Sequence, residues 1–148
     1  MTRAEARSRF AAARVARLAT AGSDRRPHLV PIVFAVSGDV IYSAVDAKPK
    51  RTTALRRLAN IRENPAVALL VDHYDDADWG ALWWVRADGR GRVLDPDGET
   101  GSGTGDDLMA EAGEARRAIG LLRRRYPQQE AVGAVLAVDV ERWTGWSA

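Results

Sequence analysis

VIYSAVDAKPKRTTALRRLANIRENP, residues 40–65, changes its period once, and the rest of the chain is organised around it. Val40, Ile41 and Tyr42 begin a β-like run, Asp46-Ala47-Lys48-Pro49 breaks it, and an amphipathic helix follows. In the helical part Leu55, Leu58 and Ile61 recur every third residue and are expected to face the core, with Arg56, Arg57 and Arg62 projecting elsewhere. Between Asp46 and Pro65 the basic residues Lys48, Lys50, Arg51, Arg56, Arg57 and Arg62 face only Asp46 and Glu63, six against two, a local net of +4. A strand that ends in a basic turn and runs into a basic helix is a candidate cradle for a phosphate-bearing ligand.

Beyond this stretch the charge is nearly balanced, 22 basic against 20 acidic residues, so the basic segment is a local feature of a mixed surface. The length of 148 residues suits one domain, 1–148, with a substantial core; a chain of this size typically buries ~68–70% of its unfolded surface. Cysteine is absent, which removes disulfides, iron–sulfur clusters, thiolate zinc sites and cysteine nucleophiles. No apolar run approaches the ~20 residues of a membrane span. The start, MTRAEARSRF, lacks a signal-peptide core, and a cytoplasmic protein is expected. Both lysines of the chain, Lys48 and Lys50, sit in the basic turn.

Taken in order, Thr2 and Glu5 fit a capping box opening a helix to about Ala13, with Ala6, Phe10 and Ala13 on its buried side. Strands are expected at Val15–Ala21, Arg26–Val36 and Val40–Val45, joined by turns at Gly22-Ser23-Asp24 and Ser37-Gly38-Asp39. Pro31 lies in the middle of the second of these and marks an edge, a bulge or a close approach. Asn64-Pro65 ends the basic helix, and Ala66–Asp72 is the next strand. An aromatic run, Trp79–Val85, is followed by Arg86–Leu94 as a hairpin or bent strand. Leu108, Ala112, Ala115, Ile119, Leu122 and Tyr126 form a helical stripe, stopped by Pro127, with Ala131–Val140 as the last strand. About six strands joined mostly by hairpins, with two or three helices, point to an antiparallel barrel with appended helices.

Several candidate chemistries can be weighed directly. Gly101, Gly103 and Gly105 lack dinucleotide spacing and precede Asp106 and Asp107, the wrong sign for pyrophosphate, so a solvated loop is favoured. Asp72–Asp78 with His73 lacks the spacing of a calcium loop, and no metal site is expected. No G-x-S-x-G is present and neither His28 nor His73 has a serine partner in sequence, so no catalytic residue is assigned. Trp83 and Trp84 must face opposite sides of a strand, so one can be core while the other lines an interface or a planar cofactor. The basic stretch allows a solvated helix face, a nucleic-acid surface or a phosphate site. The balanced overall charge and the lack of a reading motif count against nucleic acid.

The order of several pieces resembles the pyridoxamine-phosphate-oxidase-like split-barrel superfamily, in its deazaflavin-dependent branch. They are Val15–Thr20, Arg26–Phe34, Asp46–Lys50, Leu55–Ile61, Asn64-Pro65, Trp79–Arg86 and Trp143–Trp146. The resemblance implies a mainly β fold with flanking helices, a six-stranded antiparallel split β-barrel of the flavin-reductase and FMN-binding type. It further implies a homodimer with two cofactor sites across the subunit interface. Pro31, Ile32, Val33 and Phe34 would run beside the planar ring, largely through backbone contacts. Ser43, Lys48, Lys50, Arg51 and Arg56 or Arg57 would hold the phosphate, and the partner's Trp79, Gly80 and Ala81 would close over the ring.

Flavin mononucleotide, FMN, carries one phosphate, whereas coenzyme F-420 adds a polyglutamate tail to a phosphodiester. A spread of six basic residues suits the longer anionic string. The implied reaction is hydride transfer between F-420 and an unsaturated or quinone-like small molecule. The alternatives are an FMN-dependent oxidase or reductase, and a non-catalytic carrier of the cofactor.

Overall fold

The capping box at Thr2 and Glu5 is present in the computed structural model, which describes residues 1–46, 52–97, 103–129 and 132–148. The backbone N–H of Glu5 donates to the Thr2 hydroxyl at 3.1 Å, and Thr2 N–H donates to the Glu5 carboxylate at 2.6 Å. These bonds start α1 (Arg3–Ala12), which buries Ala6 and Phe10 and lays Phe10 against the rings of Phe34 and Trp143. Ala13 is partly buried against the same cluster.

The strands are β1 (Ala16–Ala21), β2 (Pro27–Ile32), β3 (Ala35–Ser37), β4 (Val40–Asp46), β5 (Ala66–His73), β6 (Trp83–Leu94) and β7 (Val132–Ser147). They form one antiparallel sheet in the order β2-β1-β5-β6-β7-β4-β3. Its outermost members, β2 and β3, follow one another in the chain and are separated only by Val33 and Phe34. Both edges of the sheet therefore belong to one segment. Counted as a single strand broken once, Pro27–Ser37 gives the expected six-stranded split barrel.

The strand is broken at Val33–Phe34, past Pro31. Pro31 lies opposite Arg17 on the edge strand β2, a position where a missing donor is tolerated. The gap is held from two sides. The Ser43 hydroxyl on β4 donates to the Val33 carbonyl at 2.8 Å. The Tyr126 phenol lies 3.0 Å from the Phe34 carbonyl and 2.9 Å from that of Arg14, and accepts from Phe34 N–H at 3.4 Å. Arg125 adds bonds to the carbonyls of Ala11 and Ala13, tying this corner to the end of α1. Tyr126→Phe is expected to cost about 1–2 kcal/mol, because it strips a partner from part-buried backbone groups. Urea unfolding would measure it, and an unchanged midpoint would refute the role.

Of the two forms expected for Arg86–Leu94, a hairpin or a bent strand, the bent strand is found: the segment is part of the single strand β6, with an irregularity between Asp88 and Gly89. A Cβ at Gly89 would run into the Asp139 carbonyl, so only glycine lets β6 and β7 approach here. The last strand does not stop at Val140. It continues to Ser147 because Trp143 turns into the core while Thr144 and Trp146 pair with Arg86 and Trp84.

Inside the barrel Phe10, Leu18, Phe34, Ile41, Leu69, Val85, Leu136 and Val138 pack as one cluster. α2 (Thr52–Glu63) contributes Leu58 and Ile61, both buried. α3 (Gly105–Arg125), capped by Thr104, lays Ala115 and Ala118 against Tyr42, Leu94, Val135 and Ala137. No described helix is long and apolar enough to cross a membrane.

Candidate functional site

α2 is fixed to the barrel by a buried polar bond. The Asn60 amide donates to the Thr20 hydroxyl at 3.1 Å, and both residues are buried. Thr20 is paired with His28 across β1 and β2, which puts the imidazole at the end of the inward row His28, Val30, Ile32. One turn before Asn60 and Ile61 lies Arg57, and it is half-buried rather than projecting into solvent as the three-residue spacing suggested. Its Nε and the Nδ1 of His28 are sealed from solvent without a hydrogen-bond partner.

Burial depresses the Arg57 pKa, and among the described residues no carboxylate offsets it. The guanidinium nevertheless stays charged. His28 is also pushed down, first by burial and then by the charges of Arg56 and Arg57, which holds the imidazole neutral. Among the described residues the corner between α2 and β2 is therefore a cationic recess without a counter-charge. A half-buried cation of this kind is costly when unpaired and favourable once an anion arrives.

The other expected site residues divide into three groups. Lys48, Lys50 and Arg51 lie outside the described residues. Ile32, Phe34 and Ser43 are buried, the first two with side chains in the core and Ser43 with its hydroxyl proton committed to Val33. Pro31 is exposed, Val33 is half-buried, and Trp79-Gly80-Ala81 form a single 3₁₀ turn capped by the Asp78 carboxylate on Gly80 N–H at 3.0 Å. The structure thus joins Ser43 to Val33 and brings Arg57 into the electrostatic range of His28. Sequence reasoning passed over His28 as a binding residue. The available signal was a polar side chain on an otherwise apolar inward row.

On its outer face the barrel carries an apolar trough of about 720 Å³, running from Leu29 on β2 across Arg17, Leu70, Trp84 and Arg86 to Trp146 on β7. Leu29 is 66% exposed and Trp146 is 47% exposed. Trp83 and Trp84 both border the trough; Trp83 also packs against the core, stacked on His73 with Arg9 above it. Trp79, in the turn before β6, stands 66% exposed. Apolar faces of this kind are ordinarily covered by a ligand or another chain.

A split sheet whose two edges share one broken strand, with flanking helices, defines the class: an antiparallel split β-barrel of the flavin-reductase and FMN-binding type. The sequence profile of the pyridoxamine 5′-phosphate oxidase family matches residues 2–147, and the chain belongs to that family. Among solved structures it is similar to a conserved hypothetical protein from Mycobacterium tuberculosis, with a TM-score of 0.70 at 19% identity, covering 99% of this chain and 85% of that one. A FAD-binding protein from Mesorhizobium loti superimposes with a TM-score of 0.65 at 23% identity, over 98% of this chain and 92% of that one. The FAD-binding protein from Mycobacterium smegmatis gives 0.61 at 18% identity, over 99% and 94%. At such identities the likeness is one of fold. No curated protein matches the sequence.

Proposed function

We propose that this chain is an oxidoreductase that uses coenzyme F-420 to transfer a hydride to an unsaturated or quinone-like small molecule. The observation that carries this reading is the Arg57 guanidinium, half-buried near His28 in the middle of the basic helix α2 and without an ion-pair partner among the described residues. Such a recess fits the anionic part of a cofactor, and Lys48, Lys50 and Arg51 would extend the positive run along a longer tail. Pro31 and the half-buried Val33 would border the ring, with Ile32, Phe34 and Ser43 acting as the rigid backing that keeps this strand break in place. The cofactor, when bound, supplies the hydride chemistry; the protein supplies orientation and exclusion of water.

The site would be completed in a homodimer. The outer trough carries exposed aromatic and aliphatic groups that a second copy would cover, bringing its Trp79, Gly80 and Ala81 over the ring. A second reading, FMN or another flavin in place of F-420, is favoured by the two FAD-binding structural neighbours. A carrier without catalysis is the third.

The purified protein separates these readings. F-420 fluorescence is expected to shift or quench on titration with protein, and Lys50→Ala should weaken that binding severalfold. A yellow protein with flavin absorbance and no response to F-420 would overturn the deazaflavin reading in favour of FMN. Tight F-420 binding without reduction of any quinone or enone tested would leave the carrier.

A further inference from the structure

α3 borders a second cationic concavity, distinct from the outer trough. A cleft of about 580 Å³ lies between this helix and the β3–β4 hairpin, bounded by Ser37, Tyr42, Arg116, Arg117, Gly120 and Arg124. It shares no lining residue with the trough, and it excludes Arg57 and His28. Among the described residues none of its three arginines forms a hydrogen bond or an ion pair with a carboxylate. Glu114, whose charge Arg117 also feels, is already held by both arms of the Arg92 guanidinium at 2.9 and 3.0 Å and by the Tyr42 phenol at 2.8 Å. Arg92 also binds Asp139. The Arg92–Glu114–Asp139 network carries one net negative charge, so the three guanidiniums, none of them in an ion pair, leave the cleft at a net of about +2.

The dimensions restrict the ligand. Arg116 and Arg124 are eight residues apart on α3 and hence about 12 Å apart along its axis. That row is longer than a single phosphate and matches a chain of phosphoryl groups. Guanidinium forks pair with phosphate oxygens two at a time, which lysines cannot do. Gly120 lies at the middle of the row, and a Cβ there would meet nothing within 4 Å. A backbone floor open to the cleft lets an extended anion lie close against the helix. The Tyr42 phenol stays protonated, its pKa raised to about 12 chiefly by burial and by the bond to Glu114, so it adds no competing charge.

We infer that this cleft is a binding site for a linear polyphosphate, free or esterified to a nucleoside, separate from the cofactor corner. The test is calorimetric titration of the full chain with inorganic triphosphate, ATP and orthophosphate at low and moderate salt. Triphosphate is expected to bind at least tenfold more tightly than orthophosphate and to weaken as salt rises. ATP binding as tightly as triphosphate would identify the chain end as open to a nucleoside, and much weaker ATP binding would restrict the site to the free chain. The double variant Arg117→Gln/Arg124→Gln should lose at least tenfold in affinity. Gly120→Leu, which fills the cleft without removing a charge, should lose as much with no fall in the unfolding temperature. Arg57→Met should leave triphosphate binding unchanged, so failure of the cofactor proposal does not decide this one. The inference is overturned if the cleft variants bind as the parent does. It also fails if orthophosphate binds equally well, if Arg57→Met abolishes binding, or if only an RNA homopolymer is retained.

Discussion

Arg57→Met is expected to weaken binding of the anionic cofactor by tenfold or more while leaving the free protein as stable as the parent, or more so. A hydrogen bond to a charged group is worth about 1.5–3 kcal/mol, which corresponds to roughly 10–100-fold in affinity. Methionine keeps the apolar stem and about the same reach, so the packing of the stem is retained. In the free protein the substitution removes a half-buried cation that has no carboxylate partner. That change is neutral or favourable for folding. The two readouts are opposite in sign, so a merely structural arginine would not give them. A lowered unfolding temperature with unchanged affinity would sink the assignment.

His28 adds a pH signature to the same corner. Its pKa is depressed by burial and by Arg56 and Arg57, so in the free protein the folded state binds fewer protons than the unfolded one below the usual imidazole value of about 6.5. Stability is therefore full above that value and falls as the pH is lowered through it. An anion bound beside Arg57 offsets the repulsion and raises the His28 pKa. Binding then takes up a proton, and affinity should rise as the pH drops from 7 toward 6 and flatten in His28→Gln.

Arg57 also shows why the site was only partly legible. Spacing by threes through Leu55, Leu58 and Ile61 identifies the core side of α2 but blurs its edge. Steps of three and four from Arg57 reach Asn60 and Ile61, both buried, so the arginine is drawn onto the covered flank. Which flank is covered depends on Thr20, 40 positions from Asn60, and nothing local announces that bond. The barrel itself was readable because hairpin turns and alternating strands are local signals. Its split was not. Val33 and Phe34 are as apolar as their neighbours, and what marks them is Tyr126, 92 residues away from Phe34. Likewise the Gly89 bend is set by the approach of Asp139 from β7, and the extension of β7 through Trp143 by the Phe10 ring on α1. Elements were legible where the chain acts on itself locally; the break and the cationic corner are products of tertiary contact.

Arg92→Met is expected to be the most destabilising charge removal in the fold, at about 2–3 kcal/mol. Arg92 donates four charge-assisted bonds, two to Glu114 on α3 and two to Asp139 on β7, and so fastens the long helix to the barrel wall. Removing one partner of a fully buried pair costs about 3–5 kcal/mol, because the remaining charge is stranded. The Arg92 side chain is 38% exposed, so water screens part of that loss. The pH dependence identifies the cause. Glu114 is held below the usual carboxylate range, first by Arg92 and then, against the cost of burial, by the Tyr42 hydroxyl. A depressed carboxylate stabilises above its unfolded value, near 4.5 in this case, and the contribution is lost as the pH falls through the folded value. The gap between parent and Arg92→Met in urea unfolding should therefore be widest near pH 7 and narrow toward pH 3. Arg92→Met/Glu114→Gln should recover part of the loss at neutral pH, since the stranded charge is gone while the amide oxygen still accepts from Tyr42. A gap of equal size at pH 7 and pH 3 would mean that the arginine's stem, and not its charge, holds α3 in place.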